Sequence, residues 1–374
     1  MMTLQSSPMS VLTEDLVEDI LSRVPATSLV RLRSTCKQWN AILNDRRFIK
    51  KHFDTAEKEY LDMLLRSLRV SSMSVNLHGL HDNIDPSIEL KRELNLKGLL
   101  CNSGKVESFE VFHCNGLLLF TNTSTIVVWN PCTGQTKWIQ TESANTRYHK
   151  YALGYENKNL CRDYKILRFL DDGTNFELEI YEFNSSSWRV LDSVEIDFEL
   201  DIGSQGMSVK GNTYWIVIDD HEVDGELVNC FLTSFDFTRE RFGPHVCLPF
   251  QTSWYSDVIS LSSVREERLS VLFHEEDSLT MEIWVTNDIT DTIVTSWSKF
   301  LRVDLYTHRF YNGVTFFIDE ENKAAVFSED VPDDSDDIHS IVYIIGQDRL
   351  RIVDLEDGPF WPQMFCYVPS LVQI

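Results

Sequence analysis

Val128-Trp129-Asn130-Pro131-Cys132-Thr133-Gly134-Gln135-Thr136-Lys137-Trp138 sets an aromatic strand end, a polar turn and a second strand that closes on an aromatic within a few residues. The design returns at Ile180-Tyr181-Glu182-Phe183-Asn184-Ser185-Ser186-Ser187-Trp188 and at Ser234-Phe235-Asp236-Phe237-Thr238-Arg239-Glu240-Arg241-Phe242. A looser copy links Trp284 to Trp297, and another links Tyr343 to Ile352. From Trp129 through Tyr181, Phe235, Trp284 and Tyr343 the steps are 52, 54, 49 and 59 residues. A period near 50 is that of kelch-type propeller blades, four-stranded sheets that cannot bury both faces until neighbours flank them. The recurring rings are therefore expected to pack between blades and not to stack a ligand. About 300 residues carry this pattern, room for roughly six blades.

Outward from this repeat, short apolar runs such as Leu117-Leu118-Leu119-Phe120 begin near Glu110, punctuated by Gly, Asn and Asp, and read as strands. Before them the pattern is mixed. Leu61, Leu64, Leu65 and Leu68 fall at helical spacing, and a polar stretch follows through Ser71-Ser72-Met73-Ser74 to His81-Asp82-Asn83. This divides the chain into a helical module over 8-55, a linker and start of the β domain over 56-105, and the β domain proper over 106-374.

In the module, Leu16, Ile20 and Val24 form one helical stripe, with Val17 and Leu21 beside it. This predicts an amphipathic helix of about three turns, with Thr13 at its N-cap, Glu14 and Asp15 where the helix dipole favours negative charge, and Pro25 as its stop. A second helix is expected from Thr27 or Ser28, carrying Leu29, Leu32, Cys36 and Trp39 on one face. Phe48, Ile49 and Phe53 then suggest one more short helical piece. Such a unit has little core of its own, so part of its apolar surface should pack on the next domain or on another protein. Leu32 and Trp39 suit either role.

The run from Leu12 to Trp39 resembles the F-box: L-x-x-x-L-x-x-x-I-L-x-R-[LV]-P, a Leu after three more residues, then C-K-x-W. Thr13 stands where the family usually has Pro. The strings Tyr151-Ala152-Leu153-Gly154-Tyr155, Tyr164-Lys165-Ile166-Leu167-Arg168-Phe169, Lys210-Gly211-Asn212-Thr213-Tyr214-Trp215 and Ser296-Trp297-Ser298-Lys299-Phe300, with the tail Tyr367-Val368-Pro369-Ser370-Leu371-Val372, look like the plant F-box-associated domain. The resemblance implies a small all-α F-box bundle followed by an all-β kelch-like propeller. It also implies docking onto a Skp-type adaptor, and through it a cullin, in an SCF ubiquitin ligase, with the β domain recruiting the protein to be ubiquitylated. Leu12, Leu16, Ile20, Leu21, Pro25 and Leu29 are the expected adaptor contacts. No residue is nominated for the client.

Charge separates the two parts. Residues 1-69 hold 11 basic and 9 acidic side chains, whereas the whole chain holds 34 and 58, a formal net charge of -24. The excess of acid thus lies wholly in the β domain, the wrong sign for tracking phosphates and suited to a basic or locally basic client. The densest cluster puts six carboxylates into residues 329-337. It reads as a solvated loop, or more sharply as a patch that steers a basic partner. Asp171-Asp172, Asp219-Asp220 and Glu275-Glu276 read as loop tips.

The N-terminus lacks a signal-peptide pattern, and no apolar run approaches the roughly 20 residues that span a bilayer. With eight dispersed cysteines and no CxxC pair, the expected setting is the cytoplasm, the nucleus or both, with reduced thiols and no cofactor. Asn122-Thr123-Ser124 and Asn184-Ser185-Ser186 are accordingly read as turns. The common enzyme signatures are missing, and His113-Cys114 is expected to be a buried thiol beside a turn, since a nucleophile needs a base within reach. Two other readings remain at this stage: an F-box interaction protein acting outside a ligase, and a propeller enzyme with a small molecule in its channel.

Overall fold

The computed structural model describes residues 12–66, 69–76, 87–96, 110–122, 125–140, 148–157, 162–171, 176–191, 194, 196, 198–199, 205–219, 230–252, 257–275, 278, 280–290, 293–294, 296–305, 310, 313–332, 338–346, 349–355 and 362–374. Four short helices come first: α1 (Glu14–Leu21), α2 (Ala26–Leu32), α3 (Lys37–Asn44) and α4 (Arg46–Thr55). Thr13 caps α1 by position, but its hydroxyl makes no capping bond. The second helix differs from expectation. Its N-cap is Pro25, whose carbonyl accepts from the amides of Ser28 and Leu29, both at 3.0 Å. It ends at Leu32, and a new helix starts after Cys36, whose sulfur accepts from the Trp39 amide at 3.4 Å. The Thr35 hydroxyl bonds the Leu32 carbonyl at 2.7 Å, so side chains in the break take over backbone partners that a continuous helix would supply.

Six sheets follow. The first holds β1 (Leu61–Arg66), β2 (Arg69–Asn76) and β3 (Ser87–Asn95); the second β4 (Glu110–Cys114), β5 (Leu117–Thr121), β6 (Ile126–Trp129) and β7 (Thr136–Ile139); the third β8 (Tyr148–Asn157), β9 (Arg162–Asp171), β10 (Phe176–Glu182) and β11 (Ser187–Val190). The fourth is built from β12 (Phe198–Glu199), β13 (Met207–Val209), β14 (Asn212–Asp219), β15 (Cys230–Asp236), β16 (Arg241–Phe242) and β17 (Val246–Cys247). The fifth has β18 (Val258–Val264), β19 (Arg268–His274), β20 (Thr280–Thr286) and β23 (Trp297–Asp304), with the small hairpin of β21 (Ile289–Thr290) and β22 (Ile293–Val294) inserted before its last strand. The sixth has β24 (Thr315–Asp319), β25 (Ala324–Pro332), β26 (Ile338–Gly346) and β27 (Arg349–Asp354). The chain ends with β28 (Gln363–Tyr367), which pairs antiparallel with β1 in the register Leu61↔Tyr367 through Leu65↔Gln363.

The innermost strands β28, β4, β8, β13, β18 and β24 neighbour one another in a closed ring, so the molecule is a six-bladed propeller with its first blade shared between the two ends of the β domain. β28 pairs the inner edge of β1, and closure of the ring buries the faces that the first and last blades would otherwise leave open. Leu61, Leu64 and Leu65 are thus strand residues, not helical ones, and Leu68 lies outside the described residues. Met63, Leu64 and Leu65 are all buried, and a strand covered on both faces shows no alternation by which to tell it from a helix.

The repeat aromatics occupy one structural position. Trp129, Tyr181, Phe235, Trp284 and Tyr343 all lie on the third strand of a blade, and all but the half-buried Trp284 are buried. In two of these blades the polar residue that follows caps the turn: the Asn130 carboxamide accepts from the amides of Cys132 and Thr133, and the Asp236 carboxylate from those of Thr238 and Arg239. Neighbouring blades are also joined by charge. The Lys165 ammonium, buried, sits 2.8 Å from Glu156 on its own blade and 2.7 Å from Glu240 on the next.

Candidate functional site

α1 presents two stripes, and the fold disposes of them differently. Val17 and Leu21 point into a core completed by Ala26, Leu29, Ile42, Leu43 and Phe48. Leu16 and Ile20 remain 46% and 49% exposed, and Leu12, just before the helix, 39%. Leu16 and Ile20 therefore stand about one turn apart on an open face of α1, with Leu12 exposed just before it. Of the predicted contact set, Leu12, Leu16 and Ile20 are exposed, Pro25 is half-buried at the N-cap of α2, and Leu21 and Leu29 are sealed inside at 4% and 0% exposure. Leu32 and Trp39 are half-buried against the same core.

The module is not free-standing. Leu371 of the tail, 1% exposed, belongs to its core, and Cys132 from the β6–β7 turn packs against it. The tail is held from the propeller side by the Asn130 amide group, which donates to the carbonyls of Ser370 and Val372 at 3.1 and 2.8 Å. The Ser370 hydroxyl donates to the Asn115 carbonyl at 2.9 Å. Gly116, at φ +80°, allows this approach: a Cβ there would lie 2.3 Å from the Ser370 hydroxyl oxygen. Asn115 and Gly116, both at positive φ, make the tight hairpin turn that the Asn-Gly pair announces. Further links are Thr27 to Glu59 at 2.7 Å, Lys58 to Glu267 at 3.4 Å and Arg162 to Asp54 at 3.6 Å. Sequence reasoning missed the role of Leu371, for which an aliphatic side chain in a C-terminal tail is too weak a signal.

These contacts place the helices on the end of the propeller that carries the turns between first and second strands and between third and fourth. The strands alternate in direction, so second strands exit at the opposite end. Asp171 and Asp219 close β9 and β14 there, and Glu275 follows β19. Residues 172, 220, 276 and 333–337 of the acidic pairs and cluster lie outside the described residues, as do Thr123 and Ser124.

Where α4 and the linker meet the channel mouth lies a polar cavity of about 360 Å³, lined in part by Cys114, Asn115, Arg162, Lys210 and Glu266. Its groups do not compose a nucleophile. Burial raises the Cys114 thiol pKa far above that of a free thiol, although a bond with Ser208 opposes this. His113 is pushed down to about 3 by the same cause and is neutral. Its Nε2 accepts from the Gly116 amide at 3.2 Å and its Nδ1 lies 3.3 Å from the Glu266 carboxylate, so both ring nitrogens are engaged away from the thiol. Glu266 is raised to about 7, chiefly by burial, against the bond it accepts from the Asn115 amide and the nearby Lys58 and Arg162. Among the described residues no three His, Cys, Asp or Glu side chains are gathered to hold a metal ion, and no helix is long and apolar enough to cross a membrane.

Comparison with known proteins agrees with this geometry. The F-box domain family matches residues 9–51, and the F-box associated beta propeller domain family matches residues 61–374. An Arabidopsis thaliana F-box/kelch-repeat protein is 55% identical, covering 100% of both chains. An F-box protein of the same plant is 44% identical over 98% of this chain and 87% of its own. Among solved structures, TolB from Acinetobacter baumannii is similar over 83% of this chain and 66% of its own, with 11% identity and a TM-score of 0.38.

Proposed function

The chain belongs to the F-box proteins that carry an F-box-associated β-propeller, and from that membership we propose that it is the substrate-receptor subunit of an SCF ubiquitin ligase. The observation that carries the reading is the open stripe of Leu16 and Ile20 on a helix whose other apolar stripe is buried, with Leu12 exposed just before it. A Skp-type adaptor covers that stripe and joins the chain to a cullin. The propeller holds the client on the face away from the helices, where Glu275 is exposed and suits a basic side chain. The chain itself makes and breaks no bond. It raises the effective concentration of the client's lysines near a ubiquitin-loaded enzyme carried by other subunits. Its place of work is the cytoplasm, the nucleus or both.

Co-purification with a Skp-type adaptor tests this. Wild type should bring the adaptor down and Leu16→Lys or Ile20→Lys should not, while a folded wild-type chain that never binds it would sink the proposal. Adaptor binding without any cullin in the assembly would favour an interaction protein acting outside a ligase.

A further inference from the structure

α4 does not lie flush on the third blade. Between it, the start of β9, the β10–β11 turn and the chain terminus runs a groove of about 110 Å³. Ile49 and Phe53 from α4 and Phe183 from the turn give it an apolar floor, each of them half-buried. Arg46, Lys50 and Arg162 stand around them, Arg162 with its guanidinium carbon 3.4 Å from the centre of the Phe53 ring. Two carboxylates oppose these three cations: Asp163 in the groove, and Asp54, which Lys50 and Arg162 share at 3.7 and 3.6 Å. Arg46 has no carboxylate within 4.0 Å among the described residues. With Lys50 and Arg162 sharing Asp54, Arg46 is left as an uncompensated cation at the groove, on a chain of formal charge -24.

Aromatic and aliphatic surface ringed by cations, two of them guanidinium groups with planar donor forks, is the complement of a bulky apolar side chain flanked by carboxylates. We infer that this groove docks a short acidic segment of a partner protein, anchored by one apolar side chain. The surface is separate from the α1 stripe and lies on the helix-bearing side of the propeller. It therefore selects a partner, or a part of a partner, unlike the basic client proposed above, and it stands even if that client assignment fails.

Phage-displayed random peptides selected on the full chain provide the probe. The enriched pool should place Asp and Glu around Phe, Leu or Trp, and one such peptide, synthesised and fluorescently labelled, is then titrated against variants. Asn184 lines the groove and is exposed, so its side chain can be changed without touching the core. Adding one charge about 7 Å from the peptide in a watery setting changes affinity about threefold. Asn184→Glu should weaken binding by that factor, Asn184→Lys should tighten it by the same factor, and Phe183→Ser should weaken it about tenfold. Opposite signs at one position cannot come from misfolding, which weakens binding in both variants. A pool without acidic bias, or a peptide whose affinity is the same for both Asn184 variants, overturns the inference. So does a groove whose occupant is a second copy of this chain, seen as a dimer in sedimentation that the acidic peptide does not dissociate.

Discussion

Truncating Leu16 and Ile20 together to Ala should cost adaptor affinity and almost nothing in stability. Full burial of a Leu or Ile side chain is worth about 1.5–3 kcal/mol. Folding has already covered roughly half of each, since 46% and 49% remain exposed. Docking can therefore gain about 1 kcal/mol from each, and loss of both weakens binding by about 2 kcal/mol, roughly 30-fold in Kd. A Lys at either place puts an unpaired charge into the same apolar contact and should exceed a hundredfold loss. Isothermal titration of the full chain with a purified Skp-type adaptor reads the affinity, and a thermal melt reads the fold, which exposed positions shift by no more than about 0.5 kcal/mol. Val17→Ala, at a position only 4% exposed, should show the reverse profile: a lower melting temperature with a smaller effect on affinity wherever the chain is folded. An adaptor Kd within twofold of wild type for the Leu16 and Ile20 double variant, with the melt unchanged, would show that this stripe is not the docking surface.

Three further outcomes follow from the junction and the channel mouth. Leu371→Ala removes a fully enclosed side chain and should destabilise the helical module by about 2–5 kcal/mol; hydrogen exchange should report the loss in α1 to α4, and a module as protected as in wild type would show the tail to be dispensable. Asn130→Ala deletes both donations to the tail and leaves the carbonyls of Ser370 and Val372 without that donor, a cost of about 1–3 kcal/mol seen as earlier proteolysis at the C-terminus. Glu266 holds its proton more tightly in the folded chain, at about 7 against 4.5, so its contribution to stability falls as pH rises through that window and is fully lost above about 7. Glu266→Gln should flatten that slope in melting temperature against pH, whereas an unchanged slope would place the proton elsewhere, Asp62 being the other carboxyl raised to about 7 by burial.

Local patterns made much of this protein legible. The blade repeat shows in the sequence because an aromatic recurs on the third strand of five blades, followed in two of them by Asn130 or Asp236, which caps the turn with its own side chain. The two stripes of α1 show because helical periodicity is local. The split of the second helix at Cys36 did not show, because its cause is side-chain bonding in a stretch whose apolar spacing continues unbroken. The first blade did not show either. Its strands come from opposite ends of the β domain, and the pairing of Leu61 with Tyr367 leaves no mark at either end that a repeat could reveal.

Residue order by itself therefore determined a small helical module and a propeller of roughly six blades, since both rest on periodicities a few residues or one blade long. Only the tertiary structure decided which stripe of α1 faces outward. Leu16 and Leu21 are equally apolar in the sequence, and nothing local ranks them. Leu21 is buried because Leu29, Leu43, Phe48 and, from the far end of the chain, Leu371 close around that side of the helix. The open stripe of Leu16 and Ile20 is what this packing leaves uncovered.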